Sequence, residues 1–160
     1  MAKKKISKTE VSSTIKRITY LLSKQKFFPT INSGGCGLYA ALLAKELEKI
    51  GENFFVVYID SSNDAFKNSM EIESNVNNLR GKVSCNHIMI YWNKNYIDAE
   101  RYSRKLPQKY INRTIWFVEL SSDSMLNAYI KSDSWNPTFK RTNLPKISKI
   151  IKFEFNKLTI

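Results

Sequence analysis

The chain has 160 residues, a net charge of +12, 42% hydrophobic residues and two cysteines. This length suits one domain with a buried core, and the composition excludes a disordered chain. The longest apolar runs fall far short of the roughly 20 residues of a membrane span, and the lysine-rich start lacks the apolar stretch of a secretory signal. Two cysteines do not make a disulfide framework, so we expect free thiols and a cytoplasmic location. For a phage-encoded chain, this would be the cytoplasm of the host.

The positive charge is concentrated at the two ends of the chain. Residues 1–30 carry eight basic residues against one acidic residue, residues 31–100 carry six against nine, and residues 101–160 carry twelve against four. Basic flanks of this kind can attract nucleic acid or another anionic surface. Lys, Asn and Ile are also abundant together, as A/T-rich coding produces. Because no arginine-rich stripe or binding module accompanies the charge, we attribute it to coding bias and do not favour a nucleic-acid partner.

The first part of the chain predicts two helices. Residues 9–26 form an amphipathic pattern with apolar residues at spacings of three and four, and Ser7 or Thr9 can cap its start. Pro29 is expected to end this helix, because the residue before a proline is pushed out of the helical region. After a polar loop with glycines, a second and more apolar helix is predicted from Cys36 to Ile50.

The middle of the chain predicts a strand, an excursion and a hairpin. Residues 54–59 are a continuous apolar run typical of a buried strand. Residues 61–85 are rich in Ser and Asn and indicate a surface excursion with a short helix around 69–79. A hairpin then joins His87–Trp92 to Tyr96–Glu100.

The last part predicts another strand and two helices. Thr114–Leu120 is the strand, and a helix capped by Ser122 follows over residues 123–132. Asn143 or Thr142 can open the last helix. The whole pattern predicts a single α+β domain over residues 1–160, in which a helical front packs against an antiparallel sheet and the C-terminal elements close the fold.

Cys36 is the residue with the most chemical content. It is predicted at a helix N-terminus, where free N–H groups and the helix dipole favour a thiolate. Gly34 and Gly35 let the loop approach a substrate carbonyl, and the backbone N–H of Cys36 can stabilise an oxyanion, with the Asn32 side-chain amide as a second donor. A cysteine considered alone is more often a buried structural thiol. The residues downstream favour a nucleophile.

His87 is the only histidine, and acidic residues follow it across the predicted hairpin. If the hairpin turns at Lys94-Asn95, Tyr91 pairs with Asp98, and His87, Asp98 and Glu100 share one face. Glu100 is then diagonal to His87, whereas Asp98 needs a bulge or a strong twist to reach the imidazole. Geometry alone therefore mildly favours Glu100 as the carboxylate that orients the histidine.

The motif Gly35-Cys36-Gly37-Leu38-Tyr39-Ala40, followed by Asn86-His87 and by Tyr96-Ile97-Asp98-Ala99-Glu100, resembles the transglutaminase-like branch of the papain-like cysteine enzymes. In that superfamily the cysteine opens a helix, and the histidine and aspartate lie on successive strands. The resemblance implies a papain-like core with Cys36 as nucleophile, His87 as general base and acid, and Asp98 as the orienting acid. It therefore favours Asp98 over Glu100.

These features predict thiol-dependent acyl chemistry on an amide, as a cysteine peptidase, an isopeptidase or an acyl transferase acting on a protein or peptide. Asn32, Gly35 and Glu100 are the expected oxyanion and substrate-binding residues, and no metal or other cofactor is expected. The alternative is a catalytically silent protein of the same fold that binds nucleic acid or an acidic protein through its basic flanks. Either activity would suit an effector encoded by a phage or mobile element.

Overall fold

The computed structural model describes residues 5–31, 34–60, 66–80, 85–131 and 142–160. Over these residues the chain is α+β, with six α-helices and one five-stranded antiparallel sheet, so the predicted fold class is confirmed. The helices are α1 (Lys8–Ser23), α2 (Phe28–Ile31), α3 (Cys36–Lys49), α4 (Ser69–Asn77), α5 (Ser122–Lys131) and α6 (Leu144–Asn156). The strands are β1 (Phe55–Ile59), β2 (His87–Trp92), β3 (Asn95–Ile97), β4 (Tyr102–Ser103) and β5 (Ile115–Val118), in the order β4-β3-β2-β1-β5.

Helix α1 begins at a capping box. The Ser7 hydroxyl accepts a hydrogen bond from the Glu10 N–H at 3.2 Å, and the Glu10 carboxylate accepts one from the Ser7 N–H at 2.8 Å. The predicted end was wrong, because α1 stops at Ser23 and Pro29 lies inside α2. Proline is tolerated there because the N–H groups of a first helical turn need no partner within the helix.

The sheet has one face covered by helices and a second face partly covered by a loop. Helix α3 is buried on nearly all sides and packs against β2, α5 and α6. Because side chains alternate along a strand, Ile88 and Ile90 of β2 join this main core, whereas His87 and Met89 lie on the second face. Tyr110, from a 3-10 turn between β4 and β5, covers part of that second face.

The β2–β3 hairpin has a different register from the one predicted. Tyr91 pairs with Tyr96, so the turn is formed by Asn93 and Lys94 alone, and the proposed turn at Lys94-Asn95 was wrong. Both turn residues have positive φ angles, 48° and 61°. This is the conformation of a two-residue type I′ turn, whose twist matches that of the flanking strands.

The corrected register changes which acid lies near the histidine. Ile90 pairs with Ile97, so the next pair along the hairpin would join Met89 to Asp98. Asp98 is therefore the diagonal neighbour of His87 on the same face, within reach of a ring nitrogen. No bulge is needed, and the geometric preference for Glu100 rested on the wrong register.

The C-terminal elements follow the predicted order with small shifts. Ser122 is the first residue of α5 and not its cap; the hydroxyl of Ser121 accepts the Ser124 N–H at 3.2 Å instead. Helix α6 has Asn143 as its N-cap, one of the two predicted openings, and carries Pro145 in its first turn. None of the helices in the described ranges is long and apolar enough to cross a membrane.

Candidate active site

Cys36 is the first residue of α3 and is 5% exposed. The N-cap, Gly35, has no side chain, so no side-chain cap occupies the first-turn N–H groups at the helix end that carries Cys36. Gly34 has a φ of 107°, a conformation that requires glycine. The Gly35 N–H donates to the Ile31 carbonyl at 2.7 Å, so Gly35 provides room at the helix start and no donor. Asn32, the expected second oxyanion donor, lies outside the described residues.

His87 and Asp98 form a direct hydrogen bond. The Nε2 atom of His87 lies 2.9 Å from Oδ2 of Asp98, and the two residues are 3% and 1% exposed. His87 opens β2, and Asp98 follows β3 directly, so the hairpin register brings them together. The contact is the one that the resemblance implies. Because Nε2 binds Asp98, Nδ1 is the ring nitrogen left for Cys36.

Both carboxylate oxygens of Asp98 have partners that hold the side chain in place. Its Oδ1 accepts the backbone N–H groups of Glu100 and Arg101 at 2.8 and 3.0 Å, and the Arg101 Nε lies 3.3 Å from Oδ2. The Glu100 side chain accepts a hydrogen bond from Nη2 of Arg101 at 3.0 Å instead. The structure thus places Glu100 at the exposed end of this cluster, with its backbone positioning Asp98.

The hydrogen bonds and charges around His87 determine whether its ring is protonated. Burial by itself lowers the His87 pKa, but hydrogen bonds to Asp98 and Cys36 and the negative charges of both residues raise it to about 9. Burial also raises the pKa of Asp98, yet the bonded imidazole, the Glu100 N–H and the Arg101 charge leave it below its usual value. The arrangement therefore favours an imidazolium bound to a carboxylate, with the cysteine as the second partner of the ring.

Cys85 is the second thiol near the site, but its environment opposes ionisation. Its Sγ donates to the backbone carbonyl of His87 at 3.0 Å. Burial, followed by the charge of Cys36, raises the pKa of Cys85 to about 12. Because only thiolates are strong nucleophiles, Cys85 is an inert neighbour and a natural control for Cys36.

Two tyrosines that the sequence analysis did not identify adjoin the site. The Tyr110 ring stacks on the His87 imidazole, with centroids 5.4 Å apart and planes 15° from parallel. It shields one face of the imidazole from water. Tyr39, one turn after Cys36, lies close enough to Asp98 that burial and the Asp98 charge raise its pKa. Tyr39 stands in the quoted motif, whereas no pattern in the sequence marks Tyr110.

The raised His87 pKa predicts a pH dependence of stability. The folded protein holds the imidazole proton up to a pH of about 9, whereas the unfolded chain releases it near 6.5. The stabilisation is complete below 6.5, so the free energy of unfolding should fall by roughly 1 to 3 kcal/mol as pH rises through this window. Urea titrations at several pH values measure it. His87→Gln should remove this slope, and an unchanged slope would contradict the charged pair.

The described part of the chain contains no group of three His, Cys, Asp or Glu residues that could hold a metal ion. Cys85 and His87, which are two residues apart, remain a pair without further ligands. Comparison of the chain with protein-family models, with curated proteins and with solved structures gives no match.

Proposed function

We propose that this protein performs thiol-dependent acyl chemistry on amide bonds, as a cysteine peptidase, an isopeptidase or an acyl transferase. The observation that carries the proposal is the buried His87 Nε2–Asp98 Oδ2 hydrogen bond, with Cys36 close enough to the ring to help raise the His87 pKa. Cys36 as nucleophile, His87 as base and Asp98 as orienting acid would together form a catalytic triad. Such a triad is recognised by the geometry of its residues and not by their positions in the sequence.

The proposed reaction begins from the state in which His87 carries the proton, and the Cys36 sulfur attacks the amide carbonyl carbon. The carbonyl electrons move to oxygen, and the resulting oxyanion lies at the Cys36 N–H. His87 then returns the proton to the departing nitrogen as the C–N bond breaks, which leaves a thioester on Cys36. Water or an amine attacks this thioester, His87 accepts the proton of the attacking group, and the acid or the new amide leaves as the thiol re-forms.

Asp98 has a positioning role in this scheme. It fixes the imidazole so that Nδ1 faces Cys36, and it stabilises the positive charge that forms on the ring. The Arg101 side chain and the two backbone N–H groups prevent the carboxylate from rotating away. Tyr110 keeps water from one face of the imidazole, which strengthens the electrostatic interactions of the site.

The proposal includes a papain-like core, because an antiparallel sheet that carries the histidine packs against a helix that begins with the cysteine. It also includes a protein or peptide as substrate and a reducing cytoplasm as location, since two free cysteines suit such a compartment. The alternative hypothesis is a catalytically inactive protein of the same fold that acts by binding alone. Reactivity of the thiol separates the two.

Iodoacetamide should modify Cys36 of the native protein at least about tenfold faster than Cys85 near pH 6.5, because Cys36 lies beside His87 at a helix N-terminus, whereas Cys85, with a pKa of about 12, stays protonated. Peptide mass spectrometry after timed quenching gives both rates in one sample. His87→Ala should slow the reaction at Cys36 and leave Cys85 unchanged.

Denatured protein is the reference, because both thiols should then react at similar rates. Equal rates in the native protein, or a Cys36 rate that does not depend on His87, would favour the silent binding protein over the enzyme.

A further inference from the structure

A cleft with a volume of about 570 Å³ lies between α1, the β2–β3 turn and the residues from Tyr102 to Arg104. Three basic side chains from separate parts of the chain converge on it: Lys16, Lys94 and Arg104. Lys16 projects from the exposed side of α1, Lys94 occupies the tight hairpin turn, and Arg104 follows β4. The folded chain thus gathers charges that are far apart in sequence.

These three charges have no acidic counterpart in the cleft. None of its lining residues is Asp or Glu, and no ion pair joins Lys16, Lys94 or Arg104 to a carboxylate of the described residues. The Lys16 Nζ lies 5.2 Å from the centroid of the Tyr102 ring, which leaves its charge available. Like charges that converge without a partner raise the local positive potential, which a bound anion would neutralise.

A polar network at the base of the cleft supplies a further donor. The Asn95 amide, 8% exposed, donates to the Asn93 carbonyl at 2.6 Å and to the Tyr102 hydroxyl at 3.2 Å. The Tyr102 hydroxyl can therefore donate a hydrogen bond to the Ser12 hydroxyl, 2.7 Å away. The hydroxyl hydrogen of Ser12 is then available to donate a hydrogen bond to a group bound in the cleft. Three cations and a hydroxyl donor form a set suited to phosphate oxygens.

We propose that this cleft binds the phosphodiester backbone of a single-stranded nucleic acid. The cleft is far larger than one phosphate group needs and lies in the size range of ligand pockets. It is a concave groove between a helix, a hairpin turn and the end of β4, which a single strand can enter more readily than a duplex. The net charge of +12 supplies the long-range attraction.

The cleft is separate from the candidate active site. It lies at the hairpin turn, whereas His87 is at the other end of β2, about 17 Å away for a six-residue strand. Substitutions in the cleft should therefore leave the alkylation rate of Cys36 unchanged, which also serves as a check that each variant is folded.

The test is fluorescence anisotropy with a labelled oligothymidylate of about 12 nucleotides, a length in the range of known single-strand sites. The cleft variant combines Lys16→Gln, Lys94→Gln and Arg104→Gln. The matched control combines Lys146→Gln, Lys149→Gln and Lys152→Gln on α6, which removes the same charge from exposed positions outside the cleft.

The wild type should bind with an affinity that falls steeply as salt rises. The cleft variant should bind at least about tenfold more weakly, and its salt slope should be smaller by about 2, as expected for three lost phosphate contacts on a single strand. The α6 variant should bind within about threefold of wild type, since its charges act only at a distance. These results together would support the assignment.

Four results would overturn it. The first is that the wild type does not bind the oligonucleotide. The second is an equal loss of affinity in the two triple variants, in which case total charge and not the cleft attracts the strand. Displacement of the strand by inorganic phosphate at low millimolar concentration would assign the cleft to a small anion. Vesicles with phosphatidylserine that bind through the same three residues more tightly than the oligonucleotide would assign it to a membrane surface.

Discussion

Replacing either Cys36 or His87 with alanine should reduce hydrolysis of an activated acyl ester by roughly 10⁴- to 10⁶-fold, to the uncatalysed background. The two residues act as one unit, because the sulfur attacks only after its proton passes to the imidazole. The double variant should therefore be no slower than either single variant. Steady-state rates for the four proteins form a double-mutant cycle, in which additive losses would contradict a nucleophile–base pair.

The matched control for this cycle is Cys85→Ala, which removes the neighbouring thiol. Its pKa of about 12 keeps it protonated, so its loss should change the rate by less than about threefold. Cys36→Ala should remain folded, with a loss of at most about 2 kcal/mol, because alanine is a good helix former at the start of α3. A Cys36→Ala variant that kept its full biological effect would show that the protein acts by binding.

The second large effect concerns the orienting acid. Asp98→Asn should slow acyl chemistry by about 10² to 10⁴-fold, because the neutral amide neither stabilises the imidazolium nor fixes the required tautomer. Glu100→Gln should cost less than about threefold, since its carboxylate contacts Arg101 at an exposed position. Measuring both variants with the same ester compares two neighbouring acids of equal charge. A larger loss for Glu100→Gln would contradict the observed register.

Much of the fold could be predicted because the hydrophobic pattern is strong. The spacing of apolar residues from Val11 to Leu22 identified α1, and the apolar run at 54–59 identified β1. Cys36 was correctly predicted at a helix N-terminus, since glycines precede the apolar helix. These features depend on local periodicity and local conformational preference, which a sequence shows directly.

The hairpin register was predicted wrongly for a specific reason. A two-residue type I′ turn requires positive φ angles at both positions, and Lys94 is not a residue that sequence patterns assign to that conformation. The error shifted the pairing of Tyr91 by two residues, from Asp98 to Tyr96, and so misplaced both acids along the strand. The resemblance to papain-like enzymes favoured Asp98 despite this error, because a motif does not depend on register.

Tyr110 and the cation cleft could not be predicted from local patterns. Tyr110 reaches His87 from a loop more than twenty residues later in the chain, through tertiary packing alone. The three basic residues of the cleft are likewise brought together by α1, the β2–β3 turn and the end of β4. The sequence analysis treated the positive charge as coding bias, and a composition count contains no information about which charges converge.

The identity of the residue that becomes acylated tests the central proposal most directly. Wild-type protein mixed with the activated ester and quenched early should carry one acyl group per chain. Peptide mapping should place this group on Cys36, as a thioester that hydroxylamine removes. The adduct should be nearly absent in His87→Ala at the same time point. Acyl groups spread over Cys85 and lysines, or a Cys36 adduct that forms equally fast without His87, would contradict a catalytic triad in this protein.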